Sequence, residues 1–102
     1  MGQFVKVAKA SDVQEGAGMV VQAQGNAIAL FKVGGVFHAI DNTCKHQGGP
    51  LGEGELDGSE VTCPWHGWQY DVKTGTCSTD PSVSQKKYNL KVEGEDILVE
   101  IG

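Results

Sequence analysis

Asp41-Asn42-Thr43-Cys44-Lys45-His46-Gln47-Gly48-Gly49-Pro50-Leu51 and, further on, Cys63-Pro64-Trp65-His66-Gly67-Trp68 are the stretches that decide how this chain is read. Each holds one thiol and one imidazole, spaced C-x-H in the first and C-x-x-H in the second, with sixteen residues between His46 and Cys63. Glycine and proline flank both pairs, which predicts loops rather than regular structure. Thiolates and neutral imidazoles are donors for borderline and soft metals. Two such pairs in two loops predict one four-ligand metal site built from Cys44, His46, Cys63 and His66.

Outward from the loops the sequence reads as strand and turn. Apolar residues alternate or come in short β-rich runs, and no helical period is sustained. Phe4–Val7 is a first strand, and Ala10–Gly16 a turn. Met19–Ala23 and Ala27–Val33 form a hairpin around Gly25-Asn26, and Gly34-Gly35 turns the chain into Val36–Ile40. Asp41–Glu55 is loop by composition, with Asp41-Asn42 expected to cap the turn that leads into it. Leu56–Cys63 reads as a hairpin turning at Asp57-Gly58, Pro64–Gly67 as the second loop and Trp68–Val72 as a strand. After a turn at Lys73-Thr74-Gly75, the polar segment Ser78–Ser84 is expected to run over the surface. A closing hairpin, Tyr88–Val92 and Asp96–Ile101, turns at Glu93-Gly94-Glu95. Many short strands joined by glycine-rich turns predict an all-β fold, an antiparallel sandwich or partly open barrel.

Composition narrows the function. A chain of 102 residues with no linker, repeat or low-complexity segment predicts a single domain over 1–102. Net charge is −5 with no basic run, which argues against nucleic acid as a partner and favours a basic patch on a protein. No apolar stretch reaches the eighteen or so residues of a membrane helix. Met1–Lys6 shows neither a charged-then-apolar leader nor a myristoylation signal. Three cysteines, two of them assigned to the metal site, leave no disulfide framework, and a cytoplasmic location is expected.

Two metals suit the four ligands on residue type alone. A structural zinc site accepts Cys2His2, but usually spaces its pairs as C-x2–4-C and H-x3–5-H. An iron–sulfur cluster in which two His replace two Cys on one iron uses the same four ligand types, and here each loop holds one Cys and one His. The flanking residues favour the second. Cys44-Lys45-His46-Gln47-Gly48-Gly49-Pro50-Leu51, then Cys63-Pro64-Trp65-His66-Gly67-Trp68-Gln69-Tyr70-Asp71 and Thr74-Gly75, closely resemble the Rieske [2Fe–2S] family. The resemblance covers about Val33–Gly75 at its core, and Tyr88–Ile101 is similar to the family's closing strands. It implies an antiparallel β domain with one cluster per chain at the tip of two loops. Cys44 and Cys63 would hold the inner iron, and His46 and His66 the outer iron near solvent. Counting formal charges, two thiolates bring the oxidised centre to about zero, whereas four leave it near −2. The less negative centre accepts an electron more readily, hence the family's range of about −150 to +300 mV.

Departures from the family pattern locate the branch. Cytochrome bc-type members carry an extra cysteine in each loop, joined as a disulfide. Gly49 and Trp65 stand at those positions here. Trp68 stands where that branch often places a serine that donates to a bridging sulfide, whereas Tyr70 matches the tyrosine that donates to a cysteine sulfur. One lost hydrogen bond to a charged acceptor is worth about 1.5–3 kcal/mol, or roughly 60–130 mV in a one-electron couple. The low end of the range is therefore expected. That resembles the soluble ferredoxins of aromatic-ring dioxygenases, which carry one electron from an NAD(P)H-dependent flavoprotein reductase to an oxygenase. It also resembles the small electron-transfer subunit of NAD(P)H-dependent nitrite reductase, which would serve a reductase as acceptor.

The chain is not expected to be an enzyme. Rieske oxygenases need a second iron held by two His and one carboxylate. Only three His are present, two belong to the cluster, and His38 is left alone. No glycine-rich dinucleotide fingerprint accompanies them. His38 is expected to be half-buried or at the surface, Cys77 to be a packed or half-exposed bystander, Trp65 to shield the cluster or, less usually, to dock a partner, and Trp68 to pack in the core. Lys45 and Gln47 should be exposed beside His46. Glu53, Glu55, Asp57 and Glu60, between the two ligand pairs, form a solvated acidic hairpin able to steer a basic partner.

Overall fold

The run Ala27-Ile28-Ala29-Leu30-Phe31 is apolar on consecutive residues, so both faces of its strand must be covered. The computed structural model, which describes residues 3–43, 49–65 and 67–101, shows how. Ten strands form in chain order: β1 (Gln3–Lys9), β2 (Gly18–Ala23), β3 (Asn26–Val33), β4 (Val36–Asp41), β5 (Glu55–Asp57), β6 (Glu60–Thr62), β7 (Gln69–Asp71), β8 (Lys87–Tyr88), β9 (Leu90–Glu93) and β10 (Asp96–Ile101). Two 3-10 turns, Ala10–Asp12 and Leu51–Glu53, are the described helical pieces. The strands make three antiparallel sheets, ordered β1-β10-β9, β2-β3-β4-β8 and β5-β6-β7.

The four-stranded sheet is the middle layer. One face sends Ile28, Leu30 and Ala39 into a core shared with Ile97, Val99 and Ile101 of β10. The other sends Ala29, Phe31 and Ile40 against Val61, Tyr70 and Val72 of the β5-β6-β7 side. β3 contributes to both, and Ile28 through Phe31 are completely buried. The expected all-β, antiparallel architecture is thus what forms, as stacked open sheets rather than a closed barrel.

The hairpin between β2 and β3 turns one residue earlier than the sequence suggests, on Gln24-Gly25 with φ of 49° and 82°. A two-residue hairpin turn of this hand needs positive φ at both central positions. Gln24 takes the first, and Asn26 instead opens β3, its amide donating to the carbonyls of Ala23 (3.3 Å) and Gln24 (3.4 Å). The next hairpin turns on Gly34-Gly35, and both backbone N–H groups donate to the Glu15 carboxylate, at 2.7 and 2.8 Å. Those two bonds hold the Glu15 carboxyl below its usual pKa. The β5–β6 hairpin turns on Gly58-Ser59, with Asp57 opposite Glu60, again one residue from the expected place.

The expected closing strand Tyr88–Val92 is two strands. β8 pairs with β4 and β9 with β10, so the chain passes from the middle layer to the outer one at Asn89. There the Asn89 carbonyl accepts from Glu100 N–H (2.9 Å) and its side-chain amide donates to the Glu100 carboxylate (2.7 Å). In β1 one extra residue, Val7, bulges between the pairs Lys6–Leu98 and Ala8–Ile97.

Candidate metal centre

The segment of the first Cys/His motif leaves β4 at Asp41, and hydrogen bonds among the described residues close its base. Asp41 Oδ1 accepts the N–H of Thr43 (3.0 Å), the expected side-chain cap. Asn42 is buried, donates its backbone N–H to Ala27 (3.1 Å) and accepts from Leu51 N–H (2.8 Å). Its side-chain oxygen accepts from Gly52 N–H at 2.7 Å. Thr43 and Pro50 then pair as an antiparallel bridge. After the bridge the 3-10 turn Leu51–Glu53 lies against β2. A Cβ on Gly52 would sit 2.9 Å from the Met19 carbonyl carbon and 2.7 Å from a Val20 methyl, so only glycine allows this approach.

The second ligand loop spans β6 to β7. Cys63 N–H donates to the Trp68 carbonyl at 2.7 Å, and Gly67 N–H returns to the Cys63 carbonyl at 3.2 Å. Gly67 supplies the positive φ of 76° that this tight return requires. Cys63 is buried, and Tyr70 is wholly buried opposite Val61 on β6. Trp68 packs partly buried on the same core, as its expected packing role requires. Trp65 packs its Cβ and Cγ against the Gly49 position and leaves half of its surface exposed (51%).

The two loops meet at Gly49. A Cβ built there would lie 2.7 Å from Cys63 Sγ, 3.0 Å from Trp65 Cγ and 3.2 Å from Trp65 Cβ. Buried Gly49 is therefore a cradle for the Cys63 sulfur, and the two motif segments are brought together by the fold. Of the four candidate ligands, Cys63 is the one whose surroundings are described. Cys44, His46 and His66 lie outside the described residues, as do Lys45, Gln47 and Gly48. Among the described residues no group of three or more His, Cys, Asp or Glu gathers to form a rival metal site.

A third segment closes the assembly. The polar run Ser78–Ser84 is at the surface, as expected, but it is tied along β7 rather than free. Ser78 N–H donates to the Gln69 carbonyl (2.7 Å) and Gln69 N–H to Thr79 Oγ1 (3.0 Å). Cys77 bridges Tyr70, is wholly buried, and its sulfur accepts the N–H of Asp80 at 3.3 Å. Asp80 accepts from the Ser82 hydroxyl (2.7 Å) and N–H (3.1 Å), which hold its carboxyl below its usual pKa. Gln85 is buried, and its amide donates to the carbonyls of Asp41 and Thr43. Nothing in the sequence singles Gln85 out; it stands among serines and lysines without a pattern. His38 is half-buried, and its Nε2 is buried without a hydrogen-bond partner among the described residues. Burial and then the charges of Lys87 and Lys73 lower its pKa, with Asp71 opposing them.

Comparison with known proteins accords with this arrangement. The Rieske [2Fe-2S] domain family matches residues 3–99. The chain belongs to that family. It is 40% identical over 98 residues to Ferredoxin CarAc of Metapseudomonas resinovorans, covering 94% of this chain and 92% of the relative. It is 37% identical over 102 residues to the ferredoxin component of the p-cumate 2,3-dioxygenase system of Pseudomonas putida, covering 97% and 86%. Among solved structures, the complex of reduced oxygenase and oxidised ferredoxin in carbazole 1,9a-dioxygenase contains a chain with a TM-score of 0.86 and 35% identity. That match covers 94% of this chain and 91% of the other.

Family membership makes a [2Fe–2S] cluster the resident cofactor. The described part of this Rieske domain fits such a group. A buried thiol stands at the junction of the two loops, beside a position kept free of any side chain. No helix among the described residues is long and apolar enough to cross a membrane.

Proposed function

We propose that Cys44, His46, Cys63 and His66 hold the cluster, the cysteines on one iron and the histidines on the other, in a single domain over 1–102. The protein is then a low-potential Rieske ferredoxin that carries one electron from an NAD(P)H-dependent flavoprotein reductase to the terminal oxygenase of an aromatic-ring dioxygenase. The observation that carries the reading is the junction itself, where Gly49 from the first motif segment packs on Cys63 and Trp65 from the second. It is supported by near full-length similarity to ferredoxin components and to the ferredoxin of a solved oxygenase complex.

When bound, the cluster takes up and gives back one electron at a time. The chain's residues do the rest. Cys63 supplies a thiolate from a dry setting, Tyr70 packs beneath it, and the Gly67 return fixes the second loop. Trp65 and Gly49 occupy the positions of the bc-type disulfide, so no staple draws the potential upward. The protein works in the cytoplasm as a carrier without catalysis of its own, its acidic surface meeting a basic patch on each partner.

Spectra test the ligand set, and turnover tests the role. The reduced holoprotein should give a Rieske electron paramagnetic resonance signal. It should also be required for NADH-driven product formation when combined with a reductase and an oxygenase of this class. A colourless, zinc-containing protein would overturn the assignment. Elution from the native source with a large flavoprotein, instead of at monomer size, would favour the nitrite reductase subunit.

A further inference from the structure

Gln85 is a polar side chain that is almost entirely buried, at 4% exposure. Its Nε2 donates to two backbone carbonyls, those of Asp41 at 3.0 Å and Thr43, residues 44 and 42 positions away. Two acceptors on the nitrogen fix which way the amide points. Its oxygen is buried without a hydrogen-bond partner among the described residues. Its backbone is equally constrained. Gln85 N–H donates to Gly75 O at 2.7 Å, and a Cβ on Gly75 would meet the Gln85 carbonyl oxygen at 2.5 Å. The third segment therefore holds Gln85 rigidly, and Gln85 holds the base of the first loop.

Thr43 is covalently followed by Cys44. The Thr43 carbonyl and the Cys44 amide nitrogen belong to one planar peptide unit. Holding that carbonyl oxygen restrains the orientation of the peptide unit that leads into the candidate ligand Cys44. Ligand constellations tolerate displacements of only about 0.5 Å. We infer that Gln85 is a positioning residue for the cluster: through the Asp41 and Thr43 carbonyls it orients the first ligand loop and thereby tunes the centre. The inference rests on the ligand assignment proposed above.

Three holoproteins, wild type, Gln85→Met and Gln85→His, test it. Methionine keeps the length of the side chain and loses both donors. Histidine alters the shape but keeps one N–H donor. The readouts are the g-values of the reduced protein, the midpoint potential and the rate of iron loss to a chelator. Gln85→Met should shift the g-values and potential, and should lose iron roughly tenfold faster, since two hydrogen bonds go at once. Gln85→His should fall between the two. A role in packing alone predicts the reverse order, with methionine nearest to wild type, and that order overturns the inference. Wild-type g-values, potential and iron-loss rate in both variants overturn it too. If Gln85→Met does not fold, Gln85→His against wild type decides, since an unchanged potential and spectrum there refute positioning. A wild type without the Rieske signal would refute the ligand assignment and this inference with it. A normal wild type with unaffected variants refutes this inference alone.

Discussion

Adding one methyl group at Gly49 tests the loop junction directly. The new Cβ would lie 2.7 Å from Cys63 Sγ and 3.0 Å from Trp65 Cγ, against about 3.5–4.0 Å for an unstrained contact between carbons. Trp65 is half exposed and can swing outward, whereas Cys63 is buried and can move only by displacing the core. Relieving the overlap shifts the sulfur by roughly 0.8–1.3 Å, judged from that contact distance, which exceeds the ~0.5 Å a ligand tolerates. Overpacking of this kind costs about 1–3 kcal/mol. Replacing glycine where φ is not left-handed recovers about 0.4–1 kcal/mol by stiffening the unfolded chain. Thermal stability should therefore fall only modestly, while cluster occupancy falls severalfold. Gly58→Ala is the control. It lies in open space at a φ of 62°, so it should lower the melting temperature through backbone strain and leave the cluster untouched. Iron and acid-labile sulfide per protein, visible circular dichroism and thermal melts of both variants make the assay. If Gly49→Ala retains wild-type iron content and spectrum, the cradle has been misread.

Three further outcomes are expected. Glu15→Gln should destabilise the fold at neutral pH by weakening the two bonds to Gly34 and Gly35. Because the folded carboxyl has its pKa lowered from 4.5, its contribution is present above the unfolded pKa and fades as pH falls through the folded one. The gap in melting temperature between wild type and variant should therefore close on acidification, and a gap independent of pH would contradict this. His66→Cys should lower the midpoint potential, because a neutral imidazole gives way to a thiolate; an unchanged resonance spectrum would mean that His66 is not a ligand. Tyr70 matches the family tyrosine that donates to a cysteine sulfur, so Tyr70→Phe should lower the potential by roughly 60–130 mV, the equivalent of one such hydrogen bond; an unchanged potential would mean that no such bond forms. Protein-film voltammetry would measure the shift.

The sequence made the strands legible because β2, β3, β4 and β10 carry their own alternation or a fully apolar run, and glycines mark their turns. The exact turn residues were less so. At Gln24 the hairpin imposes a left-handed conformation on a residue that does not favour it. The continuous pattern Tyr88–Val92 hid the passage between sheets at Asn89, because a change of partner leaves no trace in a strand's own alternation. The ligand pairs stood out through spacing, and Gly49 through its departure from the family's cysteine. Cys77 was legible only as packed or half-exposed, and Gln85 did not stand out. Each is buried by segments distant in sequence, and no local rule marks a polar or lone residue that tertiary contacts will enclose.

The pairing of Gln3 with Ile101 has a kinetic consequence. β10 is the central strand of its sheet, so neither β1 nor β9 has a partner until β10 arrives. The layer built by the two ends of the chain must then wait for a contact spanning nearly the whole sequence, and such nonlocal pairing slows folding. The hairpins of β2–β4 and β5–β7 close over short distances and have no such delay. Refolding should therefore show the hairpins of β2–β4 and β5–β7 protected first and the β1-β10-β9 sheet last.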